Sequence, residues 1–436
     1  MVNRIGIRRE DLYAWERRTP LVPDDLRDLV AGKGLSFVVQ SSDRRVYSDD
    51  DYRRCGLLVQ DDLCDCPVIL GLKEIPIEAL QPEKVYVFFS HTIKGQPYNM
   101  PMLQRILEQG STIIDYERIV DEAGRRLVFF GNYAGLAGMI DTLWALGTRL
   151  SIEGLSTPLE EVRQASAYPS LDAAKAHLRA VGDRLRAEGL PSAISPLVIG
   201  IAGYGNVSRG AQEILDLLPS REVSPRDLPA AAESPGATPI VKVVFREEDT
   251  VRPLSDGMAF DLEEYRRHPE RYAGRFARYL PYLHVLVNCI YWEPKYPRLV
   301  TRQAIRDLFA TGQPRLRAIG DISCDVKGGV EITVKATEPD DPVYVYHPDT
   351  GTTSTGVEGR GPVVMAVEIL PSELPREASI YFSAVLKRFV PALATADFSV
   401  GLDALDLPLE LKRAVIAYRG ELAPDYAHLE QHLNSA

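Results

Sequence analysis

Lys73 and His91 are the residues of this sequence best suited to moving protons. Lys73 follows a predicted strand at 68–72, and His91 follows the next predicted strand at 85–90. Because the carboxyl ends of neighbouring parallel strands open into one ligand cleft, we predict that both side chains face the same space. A desolvated lysine and a histidine can transfer protons there near neutral pH. The alternative is a surface lysine and a capping histidine.

Two adjacent arginines precede a predicted helix near the start of the chain. Arg17 and Arg18 lie in Glu16-Arg17-Arg18-Thr19-Pro20, and the helix is predicted over 23–31. The planar guanidinium group of arginine binds a carboxylate through two parallel hydrogen bonds. These residues therefore predict a site for a carboxylate ligand, and a solvated charge pair is the alternative.

Acidic residues lie at the ends of two other predicted strands. Glu117 follows the strand at 112–116, where the alternative is a helix N-cap at Asp115 with Glu117 as an acid in the first turn. Asp321 and Asp325 close a late strand in Asp321-Ile322-Ser323-Cys324-Asp325. Carboxylates at strand ends can act on a ligand in the cleft.

The segment 197–218 contains the most specific local motif. A strand predicted over 197–202 leads into Gly203-Tyr204-Gly205-Asn206-Val207-Ser208, and a helix is predicted over 209–218. The first glycine permits a tight turn, the second lets the backbone approach a pyrophosphate, and Ser208 is the small residue where helix meets strand. The helix N-terminus supplies free N–H groups for phosphate. This order of strand, motif and helix predicts a dinucleotide site, and a plain turn is the alternative.

The residues that choose between NAD and NADP are predicted at the end of the second strand of this unit. The acidic residue expected about 20 positions after the motif is absent, because a predicted surface loop over 219–239 displaces that strand. Arg246 can bind the 2′-phosphate of NADP, whereas Glu247 or Glu248 can bind the ribose hydroxyls of NAD. Since three consecutive acids there repel a phosphate, the sequence slightly favours NAD.

Composition and charge exclude several classes of protein. The 436 residues correspond to two or three domains, with 45% hydrophobic and 25% charged residues as in globular proteins. The net charge of −11 argues against a nucleic-acid partner. We find no apolar run long enough to span a membrane and no apolar region of a secretory signal at the N-terminus. We therefore expect a soluble, cytoplasmic protein.

The cysteines and histidines give no metal site. Five cysteines, an odd number, do not predict a disulfide framework. Cys64 and Cys66 form C-x-C rather than C-x-x-C, and His428 and His432 lack a third ligand at a metal-binding spacing. We expect free thiols and no metal.

Alternating strands and helices predict a parallel α/β fold. Besides the elements above, strands are predicted at 4–8, 36–40, 241–245 and 285–289, and helices at 100–109, 133–150 and 372–394. The two long helices flank the nucleotide unit, which predicts an inserted arrangement. Residues 1–131 and 362–436 would form a substrate domain, and 132–361 the nucleotide-binding domain.

Several segments together resemble a known family, the lysine–2-oxoglutarate reductase domain of bifunctional aminoadipic semialdehyde synthase. The matching segments extend over nearly the whole chain, and they are Ile5–Glu10, Trp15–Leu21, Phe88–Thr92, Gly205–Ser208, Tyr291–Pro294, Pro297–Leu299, Asp321–Asp325, Leu370–Pro375 and Arg413–Ile416. The wider family includes alanine dehydrogenase and the lysine-forming saccharopine dehydrogenases. The resemblance implies two Rossmann-like domains and NAD(P)H-dependent condensation of lysine with 2-oxoglutarate to saccharopine. We expect a separate enzyme to oxidise saccharopine. The oligomeric state of the chain stays open.

The resemblance also implies roles for individual residues. Lys73 and His91 match the acid/base pair, and Glu74 and Glu117 match the acids that tune it. Arg18 matches the arginine that binds a substrate carboxylate.

In the nucleotide unit, the resemblance assigns Gly203, Gly205 and Ser208 to the pyrophosphate turn. Asp321 and Asp325 match the motif that faces the nicotinamide and the substrate, without deciding which acid does so. The acidic run from Glu247 departs from relatives that use NADPH, so the choice of coenzyme stays open.

Three other functions remain as alternatives. One is another opine or amino-acid dehydrogenase of the same fold, such as an alanine dehydrogenase-like enzyme, because fold does not fix substrate. The second is a non-catalytic nucleotide-binding relative, which would need neither Lys73 nor His91 nor Arg18. The third is a transhydrogenase subunit, which would need a membrane partner chain.

Overall fold

The computed structural model describes residues 2–433 except Pro235, Ala237, Asp256 and Gln313. Two compact units are present, one formed by 1–130 with 375–436 and the other by 131–374. We call them unit 1 and unit 2. Among the described residues, no helix combines the length and apolar character needed to cross a membrane.

The strands and helices are numbered along the chain. The strands are β1 (Ile5–Ile7), β2 (Phe37–Gln40), β3 (Leu58–Gln60), β4 (Val68–Leu70), β5 (Val85–Phe88), β6 (Thr112–Asp115), β7 (Leu197–Ala202), β8 (Ser220–Val223), β9 (Ile240–Phe245), β10 (Val251–Pro253), β11 (Tyr272–Gly274), β12 (Val285–Asn288), β13 (Ala318–Asp321), β14 (Val343–Tyr346), β15 (Thr353–Thr355), β16 (Val363–Met365), β17 (Val415–Tyr418) and β18 (Glu421–Leu422). The helices are α1 (Pro23–Lys33), α2 (Asp49–Arg54), α3 (Met100–Glu108), α4 (Gly131–Ile152), α5 (Leu171–Glu188), α6 (Asn206–Leu215), α7 (Leu228–Glu233), α8 (Glu247–Thr250), α9 (Leu262–Arg267), α10 (Arg302–Ala310), α11 (Pro375–Leu386), α12 (Val390–Thr395), α13 (Leu409–Lys412) and α14 (Glu430–Leu433).

Unit 1 is built on an eight-stranded sheet in the order β18-β17-β6-β5-β4-β1-β2-β3. The strands from β6 to β3 pair in parallel, and β17 and β18 add an antiparallel edge. Its central strands are buried throughout and apolar, as expected of a parallel sheet covered on both faces.

Unit 2 has a second eight-stranded sheet in the order β15-β14-β16-β13-β12-β7-β9-β8. Its strands from β8 to β16 are parallel, and β14 and β15 are antiparallel. After β7 the chain forms β8 and β9 on one side of it, and later β12 on the other side. This reversal leaves a crevice outside the carboxyl ends of β7 and β12, where ligands bind in such sheets.

Glycines bring α4 close to α6 within unit 2. A Cβ atom on Gly135 would collide with the carbonyl oxygen of Val207, and one on Gly210 would collide with that of Asn132. The long helix predicted at 133–150 is α4. It packs beside α6, the helix that follows the glycine motif at 203–208.

The predicted α/β class with two mainly parallel sheets is confirmed. Two element predictions are wrong. The segment 219–239 contains β8 and α7 rather than only a surface loop, and the helix predicted over 372–394 is divided into α11 and α12. α12 begins beside Pro391, whose missing N–H disfavours a continuous helix.

Three boundaries also differ from those predicted. α6 begins at Asn206 rather than at 209, and Gly205 is its N-cap residue. Unit 2 continues to Leu374 rather than 361, since β16 pairs with β13 in the unit 2 sheet. The first boundary lies after Phe130, where the prediction placed it after 131.

Candidate functional site

Lys73 and His91 follow neighbouring strands of the unit 1 sheet. β4 and β5 pair in parallel, with 68–70 opposite 85–87. Lys73 lies three residues beyond the end of β4, and His91 lies three residues beyond the end of β5. Because parallel neighbouring strands end at one edge of the sheet, both residues are placed at the same edge.

His91 binds a buried carboxylate. Its Nδ1 lies 2.6 Å from Oε1 of Glu74, whose side chain is 6% exposed. The backbone of His91 has a φ of 49°, which is uncommon for residues other than glycine, and Asn99 donates a hydrogen bond to its carbonyl oxygen. The ring is therefore oriented by Glu74 rather than acting as a simple cap.

Glu74 is held in its ionised form. Burial raises the pKa of Glu74, but the hydrogen bond from His91 and the positive charges of His91 and Lys73 outweigh it, so the pKa is lowered from 4.5. Its second oxygen, Oε2, is buried without a hydrogen-bond partner among the described residues.

Lys73 is held in place through a hydrogen bond of its backbone. Its N–H donates to Oε2 of Glu10 at 3.0 Å, and its Nζ lies 5.8 Å from the ring centre of Tyr13. Within the described ranges, no hydrogen bond or ion pair involves Nζ. The charge of Lys73 contributes to lowering the pKa values of Glu16 and Glu74.

Arg18 is a buried arginine rather than a solvated one. Its Nε donates to Oε1 of Glu16 at 2.8 Å and its Nη2 to Oε2 at 2.5 Å, and both side chains are at most 3% exposed. The guanidinium carbon lies 4.2 Å from the ring centre of Phe130. No partner of Nη1 is found in the described part of the chain. This geometry leaves both N–H groups of Nη1 for a ligand carboxylate.

Glu117 does not contact Lys73 or His91. Its carboxylate binds Arg126 at 2.6 Å, and its N–H donates to Asp115, which caps the 3-10 helix Tyr116–Arg118. The local structure of this segment is therefore the alternative given above, an N-cap at Asp115 with Glu117 in the first turn. Burial raises the pKa of Asp115 to about 6, and the Asp115 carboxylate also accepts hydrogen bonds from the N–H and hydroxyl of Ser90.

The dinucleotide motif forms the turn between β7 and α6. Gly203 has a φ of 99°, and a Cβ there would lie 3.1 Å from the carbonyl oxygen of Cys289. Gly205 is the N-cap residue of α6, and a Cβ there would have no neighbour within 4 Å. No side chain of the described chain caps this helix, so the N–H groups of Asn206, Val207 and Ser208 remain for an anion.

Arg246 and Glu247 follow β9, which pairs with β7. The hydroxyl of Tyr204 donates to Oε1 of Glu247 at 3.3 Å, and the Arg246 guanidinium lies 5.1 Å from the Tyr204 ring centre. Glu247 lines the adjacent cavity, whereas Glu248 is exposed and Asp249 accepts the N–H of Arg246. The three acids therefore do not all face one ligand.

A cavity of about 470 Å³ lies beside the dinucleotide motif of unit 2. Gly203, Gly205, Glu247, Asn288 and Trp292 contribute to its wall. Its size is that of a pocket for a small molecule. Glycines at the turn, an open helix N-terminus and a cavity of this size together fit a dinucleotide.

Asp321 is buried behind this cavity rather than lining it. Its carboxylate accepts hydrogen bonds from Nδ2 of Asn288 at 2.8 Å and from the hydroxyl of Thr333 at 2.5 Å. Burial raises the pKa of Asp321 to about 6. Asp321 therefore orients the amide of Asn288, which does line the cavity. Asp325 is half-buried in the following turn.

Glu10, Glu16 and Asn288 were not predicted to have a role, although each contacts a predicted site residue. Asn288 ends β12, and Glu10 lies three residues beyond the end of β1. A polar residue at the carboxyl end of each parallel strand is the pattern that could have identified them. In the described residues no group of three metal-binding side chains occurs.

Comparisons with known proteins identify relatives of nearly the whole chain. Alpha-aminoadipic semialdehyde synthase of Arabidopsis thaliana is 41% identical, over 98% of this chain and 41% of the relative. The mitochondrial enzyme of that name from Bos taurus is 36% identical, over 98% of this chain and 47% of the relative. The chain thus spans less than half the length of these relatives. A saccharopine dehydrogenase (NAD(+), L-lysine-forming) of Emericella nidulans is 28% identical, over 88% of this chain and 90% of the relative.

Solved structures share the fold. An L-alanine dehydrogenase has a TM-score of 0.61 at 16% identity, covering 99% of each chain. A transhydrogenase from Sinorhizobium meliloti has a TM-score of 0.58 at 14% identity, covering 96% of this chain and all of that one. The family described as alanine dehydrogenase/PNT, N-terminal domain, matches residues 6–137. Over nearly its whole length the chain is therefore similar to part of the alpha-aminoadipic semialdehyde synthases, and its residues 6–137 match the alanine dehydrogenase/PNT N-terminal domain, which confirms the resemblance of its motifs.

Proposed function

We propose that this chain catalyses the NAD(P)H-dependent condensation of L-lysine with 2-oxoglutarate to saccharopine. The observation that carries the proposal is the arrangement at one edge of the unit 1 sheet, where His91 binds Glu74 and the amine of Lys73 has no hydrogen-bond or ion-pair partner among the described residues. The relatives named alpha-aminoadipic semialdehyde synthase and saccharopine dehydrogenase support the lysine-derived substrate class.

The reaction requires several proton transfers, and the residues of unit 1 supply them. The ε-amine of lysine adds to the keto carbon of 2-oxoglutarate, the resulting carbinolamine loses water, and the imine is then reduced to a secondary amine. Lys73 and His91 give and take the protons of the addition and dehydration steps. Glu74 holds the His91 ring and balances its charge when it is protonated.

The carboxylates of the substrates need positively charged groups. Saccharopine carries three carboxylates, and Arg18 presents its unpaired Nη1 to one of them. The carboxylate of Glu16 holds the guanidinium in place, so binding a ligand requires no rearrangement of the side chain. In this account Glu117 and Asp325 complete the substrate site.

Unit 2 binds the coenzyme in this proposal. Gly203 and Gly205 give the pyrophosphate access to the N–H groups of Asn206, Val207 and Ser208, and Asp321 acts on the nicotinamide end through Asn288. The bound nucleotide supplies the hydride that reduces the imine.

We favour NAD over NADP for the ribose site. Both Glu247 and Arg246 line the cavity, but Glu247 is half-buried and accepts a hydrogen bond from Tyr204, which suits two ribose hydroxyls, whereas the exposed Arg246 stacks on the same tyrosine. Changing Glu247 to Gln then raises the KM for NADH, and changing Arg246 to Ala leaves it unaltered. The opposite result, with Arg246→Ala impairing NADPH alone, would assign the site to NADP.

We propose the cytoplasm as the location, and small molecules as the partners. All five cysteines are free, which fits a reducing compartment. The bovine relative is named mitochondrial, so fractionation of cells that express the protein distinguishes the two compartments.

An amine panel tests the proposed reaction. Oxidation of NADH and of NADPH is followed with 2-oxoglutarate and with lysine, ornithine, alanine or ammonia. We expect turnover that depends on lysine. Turnover with ammonia or alanine in its place would favour another amino-acid dehydrogenase, and coenzyme binding without any turnover would favour a non-catalytic relative.

A further inference from the structure

Glu10 joins two strands of the unit 1 sheet at their carboxyl ends. Its Oε1 accepts the N–H of Leu72 at 2.8 Å, and its Oε2 accepts the N–H of Lys73 at 3.0 Å. Ile7 and Leu70 are the last two residues that pair between β1 and β4, and both contacts of Glu10 lie beyond them. The carboxylate of Glu10 therefore links the two chain segments beyond the point where their strands end.

The carboxylate of Glu10 lies in a buried and charged environment. The residue is 6% exposed. Burial raises its pKa to about 7, the negative charge of Glu16 adds to the rise, and Arg8 and the two N–H groups oppose it. The charge of Glu10 also helps to raise the pKa of buried Tyr116. A carboxylate is retained in these surroundings because both of its oxygens accept hydrogen bonds.

The contact to Glu10 is what fixes Lys73. Leu72 has a second hydrogen bond, because its carbonyl oxygen accepts the N–H of Phe89 at 2.9 Å. For Lys73, the bond to Glu10 is the one hydrogen bond found in the described part of the chain. Without it, the backbone from which the Lys73 side chain extends would lose its anchor.

We infer that Glu10 is a positioning residue for Lys73. It acts through the Lys73 N–H, and it sets where the amine stands relative to His91 and the substrates. The inference rests on the proposed function, because the role of Lys73 does.

Changing Glu10 to Gln tests the inference. The amide keeps the shape of the side chain but replaces one accepting oxygen with an NH₂ group, so one backbone N–H faces a donor. We expect kcat with lysine to fall by about 10- to 100-fold, the effect of losing one hydrogen bond to a charged group. The KM for the coenzyme, which unit 2 binds, stays unchanged. Glu10→Asp keeps both acceptors on a shorter side chain and recovers part of the loss.

Glu78→Gln is the matched control. Glu78 is an exposed glutamate five residues after Lys73, and its change leaves kcat as in the original protein. Melting temperatures of all variants show that they fold.

A double substitution separates positioning from general support of the fold. If Glu10 acts through Lys73, then Glu10→Gln lowers activity no further in a protein that already carries Lys73→Met. A further loss of the same factor in the double variant would overturn the inference.

Amide hydrogen exchange gives a readout that does not need turnover. We expect residues 71–76 to exchange faster in Glu10→Gln than in the original protein, and not faster in Glu78→Gln. If the original protein shows no lysine-dependent turnover, the proposed function fails, while exchange still reports the contact. Faster exchange with full kcat, or unchanged exchange, would overturn the role of Glu10.

Discussion

Acidic side chains are paired with an arginine and a histidine inside unit 1, at the carboxyl edge of its sheet. Arg18 binds Glu16, and His91 binds Glu74, with all but His91 nearly inaccessible to water. Breaking a buried pair costs more than a surface pair, because the remaining charge stays desolvated. Lys73 is the exception in this set, since its amine is left for chemistry.

Lys73→Met removes the amine and keeps an apolar stem of similar length. We predict that lysine-dependent turnover falls by about 100-fold or more, the usual contribution of a proton-transfer group. Coenzyme binding, measured by fluorescence titration, is unchanged because the nucleotide site lies in unit 2.

Lys33→Met is the control for this substitution. Lys33 is exposed at the end of α1, and its change leaves turnover as it was. Equal activity of Lys73→Met and the original protein would remove Lys73 from the mechanism.

At the scale of elements, the turn between β7 and α6 contains two glycines that are required for different reasons. Gly203 is required by its own backbone, with a φ of 99° and the Cys289 carbonyl nearby. Gly205 adopts an ordinary φ of −76° in open space, so only a ligand requires it to lack a side chain.

Alanine at these two positions is therefore predicted to have different effects. Gly205→Ala leaves the melting temperature unchanged and weakens coenzyme binding by about tenfold or more, because its Cβ blocks the pyrophosphate. Gly203→Ala also destabilises the fold, by about 1–3 kcal/mol. Calorimetry and coenzyme titration of both variants measure the two effects. Normal coenzyme binding by Gly205→Ala would contradict the proposed pyrophosphate site.

A buried carboxyl pair connects α4 to the 3-10 helix Leu370–Glu373 in unit 2. Asp141 accepts the N–H of Ala165 at 2.7 Å, and Glu373 accepts the N–H of Ser166 at 3.2 Å. Burial raises the pKa of both carboxyls, that of Asp141 to about 6, and the charge of Asp141 raises that of Glu373 further. Oδ2 of Asp141 and Oε1 of Glu373 are buried without a hydrogen-bond partner among the described residues. Because folding raises these pKa values, the folded state holds protons that the unfolded chain has released.

Glu373→Gln is predicted to stabilise the protein at alkaline pH. Above the ordinary carboxyl pKa of 4.5, the unfolded chain binds fewer protons than the folded one, so the stability of the original protein falls as the pH rises. Each unit of such a shift is worth about 1.4 kcal/mol. Glutamine mimics the protonated acid, donating to Asp141 at any pH.

Thermal unfolding at pH 5 and at pH 8 tests this prediction. The melting temperatures of Glu373→Gln and the original protein should be similar at pH 5, and the variant should melt higher at pH 8. Glu358→Gln, a change of an exposed glutamate in the same unit, should show no such difference. A variant that melts lower at both values would show that the carboxyl pair is ionised and stabilising.

Some of these elements could be predicted from sequence, for physical reasons. Apolar runs such as 197–202 and the glycines after them are local signals, and they indicated β7 and its turn. β8 was missed because its residues, Ser220–Val223, are half-exposed at the sheet edge and show no apolar run. The division of the last long helix was missed although Pro391 stands within it.

Pairing of side chains was the part that sequence could not provide. Lys73 and His91 were found because each follows an apolar strand. Glu10 was not, since its role depends on a contact with residues 62 and 63 positions away. Glu117 was placed with the proton-transfer pair by resemblance, whereas in the structure its carboxylate binds Arg126.

At the scale of the whole molecule, the chain spans 41% of its Arabidopsis relative and 90% of the one from Emericella nidulans. Its two units each provide a sheet with polar residues at the carboxyl edge. The account assigns the substrates to unit 1 and the coenzyme to unit 2. The two units of this chain are therefore predicted to supply the residues that form the new carbon–nitrogen bond.

The most direct test follows the nitrogen atom. The purified chain is supplied with 2-oxoglutarate, reduced coenzyme and lysine labelled with ¹⁵N at the ε-position, and the product is analysed by tandem mass spectrometry. The account predicts a product with the mass of saccharopine, and a glutamate fragment that carries the label. Unlabelled glutamate, a product joined through the α-nitrogen, or coenzyme oxidation that does not depend on lysine would contradict it.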